Sequence, residues 1–155
     1  MREKSHPAVN KRDILFCILI TAATVLFILN FRIVKVSGSS MEPTLADGQL
    51  LFTTTHTSHL QQNDIVIFRY EDKQCVKRVI AVGGDTVTLK NNQVYVNRIA
   101  YSNYEYDGED QEYTIAPDEI FVLGDNTKVS LDSRMFGPVK TDQLLFKRIS
   151  FGKAV

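Results

Sequence analysis

Histidine, cysteine and tryptophan are scarce in this chain of 155 residues, which has three histidines, two cysteines and no tryptophan. Two cysteines cannot form a disulfide scaffold. No histidine supports a serine–histidine–aspartate triad, and the pair His56-x-x-His59 lacks a third ligand for a metal. The net charge is zero, from 18 basic and 18 acidic residues, which excludes a general nucleic-acid-binding protein. We therefore expect no metal, no cofactor and no nucleic-acid partner.

Charge is also absent from a long stretch near the N-terminus. Residues 14–31 (ILFCILITAATVLFILNF) carry none, and their only polar members are two threonines and one asparagine. As a helix rising ~1.5 Å per residue, this stretch spans ~27 Å, close to the ~30 Å apolar core of a bilayer. The alternative is a buried helix of a soluble protein, but nothing downstream has the pattern of a helical partner. We predict a membrane span.

The flanks of this segment predict its fate and its orientation. The apolar run exceeds the ~7–15 residues usual in a cleaved signal peptide, and Asn30-Phe31-Arg32 is not a small-residue cleavage site. Lys11 and Arg12 abut the span, which favours a cytoplasmic N-terminus. We therefore predict a single-pass protein of the plasma membrane with three parts: a cytoplasmic tail (1–13), a signal anchor (14–31) and an extracytoplasmic domain (32–155).

Beyond residue 36 the sequence has the pattern of strands. Asn91-Asn92 predicts a tight hairpin, because asparagine tolerates positive φ, and Gly83-Gly84-Asp85 predicts another turn. Residues 101–119 are acidic and rich in tyrosine with little periodicity, so we expect an exposed loop or a small flap. The outer domain should be mainly β. The predicted strands are short β-branched or aromatic runs bounded by Gly, Asp or Asn: residues 50–52, 65–68, 76–82, 87–89, 94–96 and 120–123.

Three segments have compositions that point to chemistry, and the first is residues 36–45 (VSGSSMEPTL). Gly38 permits close backbone approach, and Pro43 interrupts regular structure. A serine held at such a turn can expose its hydroxyl beside converging backbone N–H groups, as a nucleophile with an oxyanion hole requires. The alternative is a plain linker after the membrane span.

The second segment, residues 75–85 (CVKRVIAVGGD), places Lys77 and Arg78 side by side in a predicted strand. Side chains alternate along a strand, so one of the two must point toward whichever face is apolar. A buried lysine has a lowered pKa and can act as a general base, whereas an arginine cannot. The alternative is an edge strand that displays both charges.

The third segment, residues 124–137 (GDNTKVSLDSRMFG), follows directly on an apolar strand. It contains two aspartates, two serines and an arginine. A loop of this composition can form internal hydrogen bonds and position a neighbour's side chain. The alternative is a structural turn.

Taken in order, the anchor and these segments resemble the bacterial type I signal peptidases. The resemblance implies a signal-peptidase-like fold of antiparallel β-sheets behind one transmembrane helix. It also implies a serine endopeptidase that removes signal peptides from secreted preproteins after Ala-x-Ala. The short region between Lys77 and Asp125 resembles the compact, single-anchor enzymes of Gram-positive bacteria. The motifs that carry the resemblance are Ser-Met-x-Pro-Thr-Leu from Ser40, Lys-Arg-Val-Ile from Lys77 and Gly-Asp-Asn…Ser-x-Asp-Ser-Arg-x-Phe-Gly from Gly124.

The resemblance assigns catalytic roles residue by residue. Ser40 matches the nucleophile, which forms an acyl-enzyme, and Lys77 matches the general base. Ser130 matches the hydroxyl that orients the lysine amine. Some members of the family have a serine where this chain has Gly38, so here the backbone N–H of Ser40, helped by Gly38, would stabilise the oxyanion.

The remaining assignments concern support and substrate. Asp125, Asp132 and Arg134 match supporting polar residues of the third segment. The signal peptide would add as a β-strand, with shallow pockets selecting small side chains. Val36 and Val76 are interpreted either as walls of those pockets or as ordinary core valines.

The expected partners are preprotein signal peptides and membrane lipid, close to the secretion translocon. Two alternatives of the same fold are a self-cleaving repressor-type peptidase, which the anchor disfavours, and a specialised peptidase for pilin or conjugation substrates. A third alternative, from another class, is an inactive assembly chaperone. That alternative is disfavoured because both Ser40 and Lys77 are present.

Overall fold

The computed structural model of the protein describes residues 10–149, apart from the side chain of Ser102. Most of the predicted cytoplasmic tail and the last six residues of the predicted outer domain lie outside this range. The described part consists of a long helix, α1 (Lys11–Asn30), followed by a domain of strands with one short helix, α2 (Ser133–Phe136), and a 3-10 turn (Thr141–Gln143). The strands are β1 (Phe31–Lys35), β2 (Leu50–Thr54), β3 (Ile65–Tyr70), β4 (Lys73–Val82), β5 (Thr86–Lys90), β6 (Gln93–Val96), β7 (Ile99–Glu105), β8 (Gln111–Thr114), β9 (Glu119–Leu123), β10 (Val139–Lys140) and β11 (Leu144–Arg148).

Helix α1 stands apart from the domain, and none of its residues is buried. It begins at Lys11 because the Asn10 side chain caps it, accepting a hydrogen bond from the Arg12 N–H. It ends at Asn30 because Phe31 already pairs with Thr54 as the first residue of β1. The helix therefore starts three residues before the predicted span and ends one residue earlier. Its length and apolar composition suffice to cross a membrane.

The strands form two antiparallel sheets, so the prediction of a mainly β fold is confirmed. The larger sheet has the order β1-β2-β11-β3-β4-β9-β10, and the smaller has the order β7-β6-β5-β8. All six predicted strands are present, as β2 to β6 and β9. Strand β4 lies between β3 and β9 in the middle of the larger sheet, which puts both of its neighbours in hydrogen-bonding contact with it.

The expectation of an exposed loop or flap over residues 101–119 is wrong for residues 101–105 and 111–114, which lie in β7 and β8. Both β7 and β8 belong to the smaller sheet, and Tyr104 and Tyr106 are each only 7 % exposed. Tyrosine can occupy core positions of a strand if its hydroxyl finds an acceptor. Here the Tyr106 hydroxyl donates to the Glu109 carbonyl. The acidic residues of the β7–β8 turn conceal the strand pattern of this segment in the sequence. Strands β1, β10 and β11 also lie outside the predicted runs.

The predicted hairpin turn is confirmed, since Asn91 and Asn92 have φ values of 51° and 61° between β5 and β6. The turn at Gly83-Gly84-Asp85 is confirmed as well, with Gly84 at φ 95°. The turn at residues 83–85 leads from β4 of the larger sheet into β5 of the smaller sheet, which packs against β4 and β9. The apolar cluster that joins the two sheets is built mainly from Ile80, Phe121 and Leu123 on one side and Val87, Leu89 and Val94 on the other.

A second apolar cluster lies at the other end of the larger sheet, beneath the segment that follows β1. We call it the loop cluster. It positions residues 36–45, because two side chains of that segment are among its most buried members. The loop cluster consists of Val36, Met41, Leu45, Leu51 and Ile65, with Val76 packed against it.

Candidate active site

The first of the three segments, residues 36–45, is part of the folded domain and is not a linker. The Val36 N–H donates to the Gln49 carbonyl, at 2.8 Å, and the Val36 carbonyl accepts from the Gly48 N–H, at 3.0 Å. Met41 and Leu45 are buried in the loop cluster. The backbone on both sides of Ser40 is therefore held by hydrogen bonds and apolar packing.

Lys77 is the buried member of the adjacent basic pair. Its side chain leaves β4 opposite Val66 of β3 and is only 4 % exposed. The alternative of an edge strand displaying both charges is wrong, because Lys77 is buried, Arg78 is paired with Asp125 and β4 has a neighbouring strand on each side. Lys77 Nζ lies 2.7 Å from Ser40 Oγ, within hydrogen-bond distance. The fold therefore brings together two residues that are 37 positions apart in the sequence.

The environment of Lys77 favours the neutral amine. Burial lowers the pKa of Lys77 below its ordinary value, and Arg134 acts in the same direction. Cys75, Asp132 and Asp125 raise this pKa, but burial is the largest effect and the net shift is downward. An amine with a lowered pKa can accept a proton at a pH where an ordinary lysine is fully charged.

Ser130 and Ser40 are packed around Gly124. A side-chain Cβ at Gly124 would lie only 2.6 Å from the Ser40 carbonyl oxygen and 2.6 Å from the Ser130 Cβ. Only glycine allows this approach of the two loops. The Ser130 Oγ is buried and has no hydrogen-bond partner within residues 10–149. It does not bond to Lys77 here, so its orienting role stays a prediction.

Asp132 and Arg134 hold the loop that carries Ser130. Arg134 forms a two-pronged ion pair with Asp132, with both N···O distances at 2.9 Å, and Asp132 is fully buried. The second oxygen of Asp132 also accepts from the Gly124 N–H, at 2.9 Å. Arg134 donates to the carbonyls of Glu105, on β7, and Thr127. This pair therefore joins both ends of the loop to the smaller sheet.

Asp125 forms a second ion pair, which the sequence did not reveal. Arg78 binds both of its carboxylate oxygens, at 2.8 and 2.6 Å, and the Tyr104 hydroxyl donates to the same carboxylate, at 3.1 Å. Burial raises the pKa of Asp125, but hydrogen bonds from Arg78, Thr44 and Tyr104 outweigh it and hold the pKa below its ordinary value. Burial and the nearby Asp125 carboxylate raise the pKa of Tyr104. Tyr104 was missed because its segment was interpreted as a loop.

Asn126 is a further residue that sequence reasoning missed, although it stands in the Gly-Asp-Asn motif. Its backbone N–H donates to the Ser40 carbonyl, at 3.0 Å, and its side-chain amide donates to the Ser39 carbonyl, at 3.2 Å. The third segment therefore clamps the backbone of the first at the candidate nucleophile.

The two predicted oxyanion donors differ in their surroundings. The Gly38 N–H donates to the Asp47 carboxylate, at 2.8 Å, with Gly38 at φ 90°. The Gly38 N–H can therefore stabilise an oxyanion only if its hydrogen bond to Asp47 is released. Ser40 lies at the turn itself.

Val36 is 3 % exposed and Val76 is half-buried, both in contact with the loop cluster. Their interpretation as pocket walls or as core valines stays open.

His56 and His59 lie away from this site in the connection between β2 and β3. Within residues 10–149, no group of three or more histidine, cysteine, aspartate or glutamate side chains is arranged to hold a metal ion. The polar groups that meet near Ser40 are instead one amine, two ion pairs and a serine hydroxyl.

Comparisons with known proteins show which proteins this chain is similar to. Signal peptidase IB of Staphylococcus aureus (strain COL) is 34 % identical, over 91 % of this chain and 90 % of its own length. Signal peptidase I of Bacillus amyloliquefaciens is 32 % identical, over 76 % of this chain and 74 % of its own. A crystal structure of a signal peptidase I from Enterococcus faecalis V583 covers 56 % of this chain and 94 % of that one, with 26 % identity and a TM-score of 0.46.

The protein is of the serine peptidase class, with a β-rich domain that follows an apolar helix long enough to cross a membrane. The family described as signal peptidase, peptidase S26, matches residues 11–151, and the chain belongs to it. The resemblance drawn from the three motifs is thereby confirmed.

Replacing Gly124 with alanine tests the close approach of the two loops. The added Cβ must displace the Ser40 carbonyl, so we expect loss of most peptidase activity together with a lower melting temperature. Gly83→Ala is the matched control, because its Cβ would lie 2.7 Å from the Pro117 backbone, in a turn away from Ser40. That variant should lose stability but keep its turnover at a permissive temperature. Equal activity of the two variants would contradict the packing described for Gly124.

Proposed function

We propose that this protein is a signal peptidase I that cleaves signal peptides from secreted preproteins with a Ser40–Lys77 dyad. Membership of the signal peptidase family supports a peptidase that acts on signal peptides. The observation that carries the dyad is the 2.7 Å contact between Ser40 Oγ and the amine of Lys77, a residue that is only 4 % exposed.

The first half-reaction forms an ester. Neutral Lys77 takes the Ser40 proton as Oγ attacks the scissile carbonyl, and the backbone N–H of Ser40 stabilises the oxyanion of the tetrahedral intermediate. The Lys77 ammonium then donates its proton to the leaving amine as the C–N bond breaks. In the second half-reaction Lys77 activates a water, which hydrolyses the acyl-enzyme and restores the serine.

Ser130 would orient the Lys77 amine during these steps. A buried hydroxyl without a partner costs about 1–3 kcal/mol, and a hydrogen bond to the lysine is one way to satisfy it. The Asp132–Arg134 pair and the hydrogen bond to Gly124 fix the loop that carries Ser130. These four residues act through Lys77 and Ser40 and are positioning residues.

The substrate would bind as an extended strand beside residues 34–38, which continue from β1 at the edge of the larger sheet, and beside the Lys77 strand, β4. Main-chain hydrogen bonds would supply affinity, and small pockets near Val36 and Val76 would select the alanines of Ala-x-Ala. The half-buried state of Val76 beside the candidate nucleophile loop supports such a pocket.

An exposed apolar face supports a position against the membrane. Two pairs of apolar residues two positions apart share one face of their strands, Phe31 and Ile33 on β1 and Leu50 and Phe52 on β2. Ile33 is directly opposite Phe52. Three of them are more than half exposed, and the face begins where α1 ends. We propose that it rests on lipid, with the N-terminus in the cytoplasm and the domain outside, near the translocon. An anchored enzyme meets emerging preproteins at a raised effective concentration.

The dyad is tested by substitution of each member. Ser40→Ala, Lys77→Ala and Lys77→Arg should each abolish processing of a preprotein in detergent, as read by the N-terminal sequence of the product. The double alanine variant should be no worse than either single variant, because residues of one catalytic unit are not additive. Lys73→Ala, at the exposed start of β4, is the matched control and should remain active. Near-normal turnover of Lys77→Ala would overturn the proposed general base.

Ser130→Ala separates positioning from packing. Removal of a buried, unpartnered hydroxyl should leave the melting temperature unchanged or raise it. If the hydroxyl orients Lys77, kcat should nonetheless fall by roughly 10- to 100-fold, equivalent to ~1.4–2.7 kcal/mol. A variant with wild-type kcat would show that this serine only fills space.

The pH profile of kcat/KM tests the base in the free enzyme. Because burial lowers the pKa of Lys77, activity should rise with pH along a limb above the ~6.5 of an ordinary histidine and below the 10.5 of an ordinary lysine. The double variant His56→Gln/His59→Gln should keep this limb. If the limb disappeared with those histidines, the lysine assignment would fail.

The same shift has a consequence for stability with a defined sign. Between the lowered native pKa of Lys77 and its unfolded pKa, the unfolded chain binds the extra proton, so stability rises with pH in that window. The variant Lys77→Met should lose this slope and gain stability at lower pH. Urea unfolding at a series of pH values provides the measurement.

A further inference from the structure

A cleft of about 680 Å³ opens beside Ser130, and neither proposed catalytic residue lines it. One wall is the acidic turn between β7 and β8, and the other is the loop of the third segment from Thr127 onward. Arg134 ties the walls together, because its guanidinium donates to the carbonyl of Glu105 on one side and of Thr127 on the other. The cleft therefore lies between the smaller sheet and the loop that follows β9, and a buried ion pair holds it.

The cleft has a negative lining. Its lining includes three acidic residues, Glu105, Asp107 and Glu109, and two basic residues, Lys128 and Arg134. Arg134 is already neutralised by its two-pronged contact with Asp132. A cationic group that enters the cleft would therefore gain electrostatic energy, and an anionic group would be repelled.

The cleft also begins next to the candidate dyad. Ser130 lines it, and Ser130 packs around Gly124 against the Ser40 carbonyl. Its lining shares no residue with the loop cluster, beside which the signal-peptide strand is proposed to lie. A substrate that lies beside residues 34–38 and reaches Ser40 must continue past Ser40. Ser130, which lines the cleft, is packed next to that point around Gly124.

The size of the cleft fits a short stretch of extended chain. Its volume corresponds to an edge of about 9 Å, and an extended peptide advances ~3.3 Å per residue. The first three residues after the scissile bond can therefore reach the acidic turn.

We propose that this cleft binds the first residues of the mature protein, after the scissile bond, and favours a cationic side chain among them. The proposal rests on the proposed signal-peptidase function and adds a specificity site on the leaving-group side. Asp107 and Glu109 are the specificity-determining residues, because both line the cleft with exposed carboxylates on the β7–β8 turn.

The test compares a reference peptide that has glutamine at the first three positions after Ala-x-Ala with six others, in which lysine or glutamate replaces one of these glutamines in turn. With the wild-type, full-length enzyme in detergent, we expect kcat/KM for the best-placed lysine to exceed that for glutamate by roughly 3- to 10-fold, as for a partly exposed ion pair. The double variant Asp107→Asn/Glu109→Gln should bring this ratio close to one while the glutamine peptide is cleaved as before.

The matched control is Asp110→Asn/Glu112→Gln. It removes the same charge from the same turn and strand, but neither residue lines the cleft. It should keep most of the lysine preference. A wild-type ratio of one at all three positions would overturn the proposed site. An equal loss of preference in both double variants would also overturn it, because the preference would then come from the general field of the domain.

The glutamine peptide distinguishes this proposal from the proposed function. If the wild-type enzyme leaves it uncut, or if Ser40→Ala cuts it equally well, the proposed dyad fails whatever the charge preference. If the wild-type enzyme cuts it after Ala-x-Ala and the dyad variants do not, only the lysine-to-glutamate ratios decide whether the cleft binds the mature chain.

Discussion

The burial of the Lys77 amine beside the Ser40 hydroxyl is the contact on which the arrangement of the domain depends. A lysine is rarely buried, because desolvation disfavours its charged form. Here the desolvation lowers the pKa of the amine, which the proposed mechanism needs in its neutral form. The side chain lies on the face of β4 that the segment carrying Ser40 covers, and Lys77 is only 4 % exposed there.

The carboxylates of Asp132 and Asp125 oppose the lowering of the Lys77 pKa, and the arginines bound to them limit this opposing effect. Asp132 is bound at both oxygens by Arg134, and Asp125 is bound at both oxygens by Arg78. Each carboxylate is thereby committed to a guanidinium and not to the lysine. The domain can thus place acidic groups close to the site for structural purposes while burial still dominates the pKa of Lys77.

The smaller sheet supports the same loop from the opposite side. Strand β7 contributes the Tyr104 hydroxyl to Asp125 and the Glu105 carbonyl to Arg134. The smaller sheet is therefore a support for the loop that carries Ser130, and not only a peripheral addition. It also creates the acidic cleft, because the β7–β8 turn faces that loop across Arg134.

Much of this organisation could be predicted from local patterns. The uncharged run before β1, the six strand patterns and the Asn91-Asn92 turn are local signals, and the structure confirms the elements that they predict. Three motifs in order identified the family. The roles of Ser40, Lys77 and Ser130 stay predictions, although the structure brings the first two into contact.

Contacts between distant segments could not be predicted in this way. The choice of Lys77 over Arg78 as the buried base depends on which side of β4 is covered, and sequence alternation leaves that undecided. The Arg78–Asp125 pair, the Asn126 clamp and the place of Tyr104 join residues from separate strands and loops. The sequence by itself determined the helix, most of the strands and the family. Only the tertiary structure decided which polar groups meet, because that depends on sheet order and burial, which a local pattern does not contain.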